Sequence, residues 1–211
     1  MGVLRQGILG GFRGKVGNVI GTGWKGRAVI KAMPLSVANP RTAGQVKQRT
    51  RFSHLVSFAS LVLAAWIKPL WDRAASGMSG YNAFVSANRD VFGNGLDILD
   101  DQIIMSRGRM IAPKITAKTI TGRNLTLTVS NPLTDRFALP TDKLFIAVTG
   151  AGFTEVGFAG QTSQTRTSNA TVQVTVALDA QLDITGDVRA WAAYLRADGS
   201  EVSNSSEMFA V

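Results

Sequence analysis

The sequence predicts an α+β protein built from three segments in order: a glycine-rich β-hairpin, a helical hairpin, and an antiparallel β-sandwich. Three observations carry this. Glycines crowd residues 7–26, at 7, 10, 11, 14, 17, 21, 23 and 26, with β-favouring residues between them. A stretch of about sixty residues then repeats apolar side chains every three or four positions, the period of a helix. From residue 96 onward, short alternating runs are separated by turn residues at regular spacing.

The first segment, residues 1–34, is too rich in glycine for a stable helix. Phe12, Val16, Val19, Ile20, Trp24, Val29 and Ile30 suit strands. The pattern predicts one hairpin: Phe12 to Ile20, a turn at Gly21-Thr22-Gly23, then Trp24 to Lys31. Glycine inside a strand marks a bulge or the close approach of another backbone. A lone hairpin is marginal in water, so this one is expected to pack on its own chain or on a neighbour.

The second segment, residues 35–95, is predicted helical. Asn39-Pro40 is one start, and Thr42 with Gln45 offers a capping box slightly later. Val46, Phe52, Leu55, Val56, Ala59, Val62, Leu63, Trp66 and Ile67 form the apolar stripe. Lys47, Arg49 and Arg51 read as a solvated face, and Pro69 ends or kinks the helix. After a break at Ser76–Gly80, a second helix carries Tyr81, Phe84, Val85 and Asn88 on one face, which makes an αα-hairpin. The longest apolar run, Leu55–Ile67, spans 13 residues, short of the ~20 a membrane span requires.

The third segment, residues 96–211, offers candidate strands at Gln102–Ser106, Ile111–Thr119, Asn124–Ser130, Leu144–Thr149, Thr154–Phe158, Thr171–Ala177, Val188–Leu195 and Glu207–Val211. Leu125, Leu127, Val129 and Val172, Val174, Val176 alternate cleanly. This spacing predicts an immunoglobulin-like or fibronectin-III-like sandwich, without the Cys-Trp-Cys signature of antibody domains.

Composition excludes several chemistries. The chain has no cysteine and one histidine, so thiolate sites and histidine clusters are ruled out. Gly21-Thr-Gly-Trp-Lys-Gly26 fits a dinucleotide loop by letter, but strand-like residues follow it and the first acidic residue is Asp72. No cofactor, metal or small-molecule substrate is expected. His54 reads as a helix-side histidine and Asp97, Asp100 and Asp101 as a solvated strand entry. No general base accompanies the serines and threonines, and the chain is read as no enzyme. With Gln6 at the sixth position the myristoylation pattern fails, and no signal peptide is recognised. Synthesis in the cytoplasm is expected, with a virion or an extracellular assembly as the final location.

Charge is the strongest functional signal. Residues 1–71 carry eleven Lys or Arg and no acid; residues 111–211 carry eight basic and nine acidic residues. The excess therefore calls for an acidic partner of the N-terminal part, either nucleic acid or another protein's acidic face. Arg13, Lys15, Lys25, Arg27 and Lys31 are the candidate contacts, alternating with the apolar set above.

Gly14-Lys-Val-Gly17, Trp24-Lys-Gly26, Pro34, Asn39-Pro-Arg-Thr42, Gln48–Arg51 and Ser106-Arg-Gly108 form a shared pattern. The chain resembles, over roughly residues 7–110, an uncharacterised domain family of Bacteroidota bacteria and associated phages. The resemblance implies a bacterial or bacteriophage source and supplies no catalytic residues. Two functions follow. The first is a non-enzymatic structural subunit, a virion component or filament. It would assemble as a homo-oligomer through Phe12, Val16, Val19, Ile20, Trp24, Val29 and Ile30 and through its sandwich edges. The alternative is a nonspecific nucleic-acid-binding protein using the basic N-terminal half.

Overall fold

A computed structural model describes residues 3–4, 11–24, 27–36, 38–73, 75–92, 99, 102–132, 136–166, 170–184 and 186–210. The chain forms two compact units, residues 1–42 and 43–211.

The first unit is a four-stranded antiparallel sheet of β1 (Val3–Leu4), β2 (Phe12–Val16), β3 (Val19–Trp24) and β4 (Arg27–Ala32), in that order. The expected hairpin turn is therefore displaced. Chain reversal occurs at Gly17-Asn18, where Gly17 takes φ +56°, a left-handed conformation that glycine adopts without strain. Gly21-Thr22-Gly23 lies inside β3 instead. Gly21 is there because another residue occupies its side-chain space: a Cβ would sit 2.2 Å from the Phe12 carbonyl oxygen and 2.6 Å from its ring.

The second unit begins with α1 (Ala43–Leu61), which starts directly after Thr42 rather than at Asn39-Pro40. At Val62 the helical path bends by 66° into a π-helical turn, Leu63–Ile67, and then α2 (Lys68–Trp71). Pro69 explains the widened turn. In a regular helix its ring would meet the carbonyl of Ala65. Here Ile67 N–H donates to Val62 O at 3.0 Å and Lys68 N–H donates to Leu63 O, five residues back in each case. The kink thus falls ahead of the proline.

α3 (Gly80–Asn88) is capped by Ser79, whose hydroxyl accepts from Asn82 N–H at 3.3 Å. Asp72 accepts from Gly80 N–H, and a Cβ on Gly80 would lie 2.7 Å from the Asp72 backbone nitrogen. Arg51, expected on a solvated face, instead reaches the end of α3. Its guanidinium donates to the carbonyls of Phe92, Arg89 and Asp90, which are free acceptors at a helix C-terminus. The start of α1 does not bury the predicted stripe: Val46 and Phe52 are exposed, and burial sets in at Leu55, Phe58 and Ala59.

Two antiparallel sheets complete the unit. One has the order β5 (Lys114–Thr121), β6 (Asn124–Ser130), β9 (Thr171–Ala177). The other has the order β11 (Phe209–Ala210), β10 (Val188–Leu195), β7 (Lys143–Gly150), β8 (Val156–Thr165). Leu125, Leu127, Val172 and Val174 of the first sheet share a core with Ile146, Val148, Ala190 and Ala192 of the second. The opposite face of the second sheet packs Phe145, Ala147, Trp191 and Ala193 against Phe58, Trp66 and Phe84 of the helices. Trp66 meets Phe145 edge to face with centroids 6.2 Å apart. Helices and sheets therefore hold one another in a three-layer body. β7 and β10 are covered on both sides, which is why they read as near-continuous apolar runs rather than alternating ones.

Residues 102–106, predicted as a strand, form no ladder. The indole N–H groups of Trp66 and Trp71 both donate to the Met105 carbonyl at 2.8 Å, and Met105 N–H donates to the Ser205 hydroxyl. Side chains thus take the groups a neighbouring strand would use. Gly108 passes so close to the Val202 carbonyl that a Cβ would sit 1.8 Å from it.

Candidate functional site

The N-terminal sheet gathers most of the predicted contact residues and sorts them by face. Register fixes the sorting, because directly paired residues in a sheet project to the same side and neighbours along a strand to opposite sides. Val16 pairs with Val19 and Val19 with Ala32, and Gly21 with Ile30. These positions, with Ala28, make one face. Phe12 joins it, its ring lying over Gly21. The alternate positions make the other face: Lys15 pairs with Ile20, Ile20 with Lys31, and Thr22 with Val29, with Arg27 next in the alternation.

One face is therefore mainly apolar, with the Arg13 guanidinium at its far end over Gly23, and the other is basic. Val16 at the end of β2 is 54% exposed and Ile30 on the edge strand β4 is 64% exposed. The far end of the apolar face is covered by the chain itself, since Gly11 approaches the Ala28 side chain and Phe12 covers Gly21. On the basic face Lys15 and Lys31 flank Ile20 in a single cross-strand row, about 10 Å apart at ordinary strand spacing.

The predicted sets are thus partly brought together and partly divided. Phe12, Val16, Val19 and Ile30 share the apolar face; Ile20 and Val29 lie among the lysines. Lys15, Arg27 and Lys31 share the basic face. Arg13 is separated from them: its guanidinium lies over Gly23, 3.0 Å from where a Cβ would be. Trp24 belongs to β3 by its backbone, while its side chain and Lys25 lie outside the described residues, as do Asp97, Asp100 and Asp101. The Gly21–Gly26 motif lies between β3 and β4, so a strand and not a helix follows it.

His54 is half-buried on α1. Among the described residues no group of three His, Cys, Asp or Glu side chains could hold a metal ion, and no single helix is long and apolar enough to cross a membrane. The most buried charges are Asp142 and Arg166, an ion pair at 3.2 Å too bent at Nε to be a hydrogen bond. Asp142 also accepts from Leu139 N–H, and Arg166 donates to the Pro132 carbonyl. The Arg166 guanidinium lies 4.1 Å from the centre of the Tyr194 ring, and the Tyr194 hydroxyl donates to Asn131. Burial pushes the Tyr194 phenol up to about 12, against the opposing charge of Arg166. This network joins the ends of β6, β7, β8 and β10. Nothing in the local sequence announced it, because its four members are scattered from residue 131 to 194.

With this geometry in view, the chain belongs to a family of unknown function, DUF6266, which matches residues 11–209. The match takes in both units. No curated protein matches the chain.

Proposed function

We propose that this chain is a non-enzymatic structural subunit that self-assembles, as a virion component or filament, through its N-terminal strands and the edges of its body. The observation that carries the proposal is the apolar face of Val16, Val19 and Ile30, exposed on a sheet with a compact unit to itself. A face of this kind loses stability to water at roughly 25 cal/mol for each square ångström left uncovered, and a neighbouring subunit would cover it. The Bacteroidota or bacteriophage source implied by the sequence resemblance belongs to the same proposal.

The finer fold reading belongs here too. Named in chain order A, B, C, C′, E, F and G, the strands β5 to β11 give the sheets A-B-E and C′-C-F-G, which supports an immunoglobulin-like or fibronectin-III-like sandwich. The grip of Arg51 on the end of α3 supports antiparallel packing of α1 and α3.

Size-exclusion chromatography with light scattering and dual absorbance, on the protein before and after nuclease treatment, tests the function. The expected result is a large species free of nucleic acid that Val16→Glu with Ile30→Glu disperses. A second reading, nonspecific nucleic-acid binding, is favoured by the Lys15, Arg27 and Lys31 face. It predicts instead a monomer carrying 260-nm absorbance, with DNA affinity falling about 0.9 log units per log salt for each phosphate neutralised.

A further inference from the structure

The body has four sheet edges, and they are not equally guarded. An unpaired strand edge templates association unless charge, a bulge, short length or a covering segment blocks it. β11 has only 2 residues. The segment ahead of it is stitched over by residues 105–110, with Met110 N–H donating to Val202 O, Asn204 N–H to Met110 O and Ser205 N–H to Ser106 O. β8 is kinked, with Gly160 at φ +143° and register shifts at both ends of its pairing with β7. β5 carries Lys114 and Lys118 and shifts register between Ile115 and Ala117. β9 carries none of these devices within its own length, while β8 closes over its far end, where Asp179 N–H donates to the Gly157 carbonyl. Its 7 residues, Thr171–Ala177, keep unbroken register with β6 and include no charge, glycine or proline. Among the described residues its outer side pairs with no strand.

The N-terminal sheet ends in a matching element. β4 is its last strand, 6 residues long, and every one is exposed. Its two sides differ: Ala28, Ile30 and Ala32 on one, Arg27, Val29 and Lys31 on the other. β9 has the same asymmetry, with Val172, Val174 and Val176 in the core and Thr171, Gln173 and Thr175 in solvent.

We infer that β9 is the acceptor edge for β4 of a second copy of this chain, so that the three-stranded sheet gains a fourth strand from its neighbour. The inference rests on the assembly reading above and specifies its contact. Laid beside β9, β4 continues the valine side with Ala28, Ile30 and Ala32 and sets Arg27 and Lys31 against uncharged Thr and Gln. The same strand laid on β5 would bring Arg27 or Lys31 against Lys114 on the solvent face, and like charges across strands repel; Lys118 pairs with Leu127 and so lies on the other face. A contact between different surfaces of identical copies is heterologous, so it propagates into a ring or an open filament.

The cysteine-free chain permits a clean trapping experiment. Val29→Cys protein is mixed in turn with Thr171→Cys, Gln173→Cys, Thr175→Cys and, as the β5 control on the matching solvent face, Thr119→Cys. Each mixture is oxidised mildly, and the linked peptides are identified by mass spectrometry. Adjacent strands place some pair within disulfide reach. The expected result is a Val29-linked heterodimer with at least one β9 position, at ten times or more the yield with Thr119→Cys. Equal yields, or no β9 link while the cysteine-free chain assembles by light scattering, overturn the β9 assignment and leave the assembly reading standing. A cysteine-free chain that stays monomeric overturns both.

Discussion

β4 and β7 are strands of similar make-up in opposite circumstances. Arg27–Ala32 has every residue exposed, whereas all of Leu144–Gly150 is buried. Both alternate or run through Val, Ile and Ala. The difference lies in what surrounds them. β7 sits inside its sheet with a second sheet on one face and helices on the other. β4 ends a sheet whose basic face and apolar face both meet solvent. Apolar content alone therefore does not decide burial; the number of covering layers does. In the body, apolar side chains hold the fold. In the N-terminal sheet, Val16, Val19, Val29 and Ile30 stay exposed.

Substitutions should separate the two regions in stability while tying them together in assembly. The largest effect is expected in the body, at Trp66, fully buried and bonded to Met105. Trp66→Ala should lower the unfolding free energy by about 3–5 kcal/mol, read from urea denaturation. A loss under 1 kcal/mol would mean that the helices do not depend on the sheet as described.

A smaller effect is expected at alkaline pH. The Tyr194 phenol is raised from 10.0 to about 12, so the unfolded chain gives up its proton first. The folded state then binds more protons than the unfolded state, and stability falls as pH rises through that interval. The stabilisation from this group is complete below pH 10 and declines by roughly 2 kcal/mol as pH approaches 12. Denaturation of wild type and Tyr194→Phe across pH 9–12 checks it, the variant lacking this component of the decline.

The smallest effect on stability is expected in the N-terminal sheet. Ile30→Ser, at a position 64% exposed, should shift the unfolding free energy by no more than about 0.5 kcal/mol. The same substitution should cut the assembled fraction several-fold at a fixed protein concentration, by light scattering. A large stability loss without any change in assembly would reverse the contrast between the regions.

Much of the architecture is legible in particular residues. Leu125, Leu127 and Val129 announce a half-buried strand, and Asn124–Ser130, Thr171–Ala177 and Val188–Leu195 are strands with the boundaries their sequence implies. The candidate site was legible as a set of residues but not as a surface. Assigning the turn to Gly21–Gly23 rather than Gly17-Asn18 changes the register, and register decides which side each residue takes. Arg51 was unreadable as a helix cap because its acceptors lie some forty residues away.

The sequence by itself determined the order of glycine-rich, helical and alternating segments, the concentration of basic charge before Asp72, and the absence of thiol chemistry. These follow from residue types and local period, which need no partner. Only the tertiary structure decided which glycines turn the chain and which admit a neighbour, which strands are buried on both faces, and which edge stands unguarded. Each of those depends on what arrives from elsewhere in the chain: the Phe12 ring over Gly21, the tryptophans on Met105, the 105–110 segment across the strand before β11. Packing and pairing are non-local, and no local window of sequence contains them.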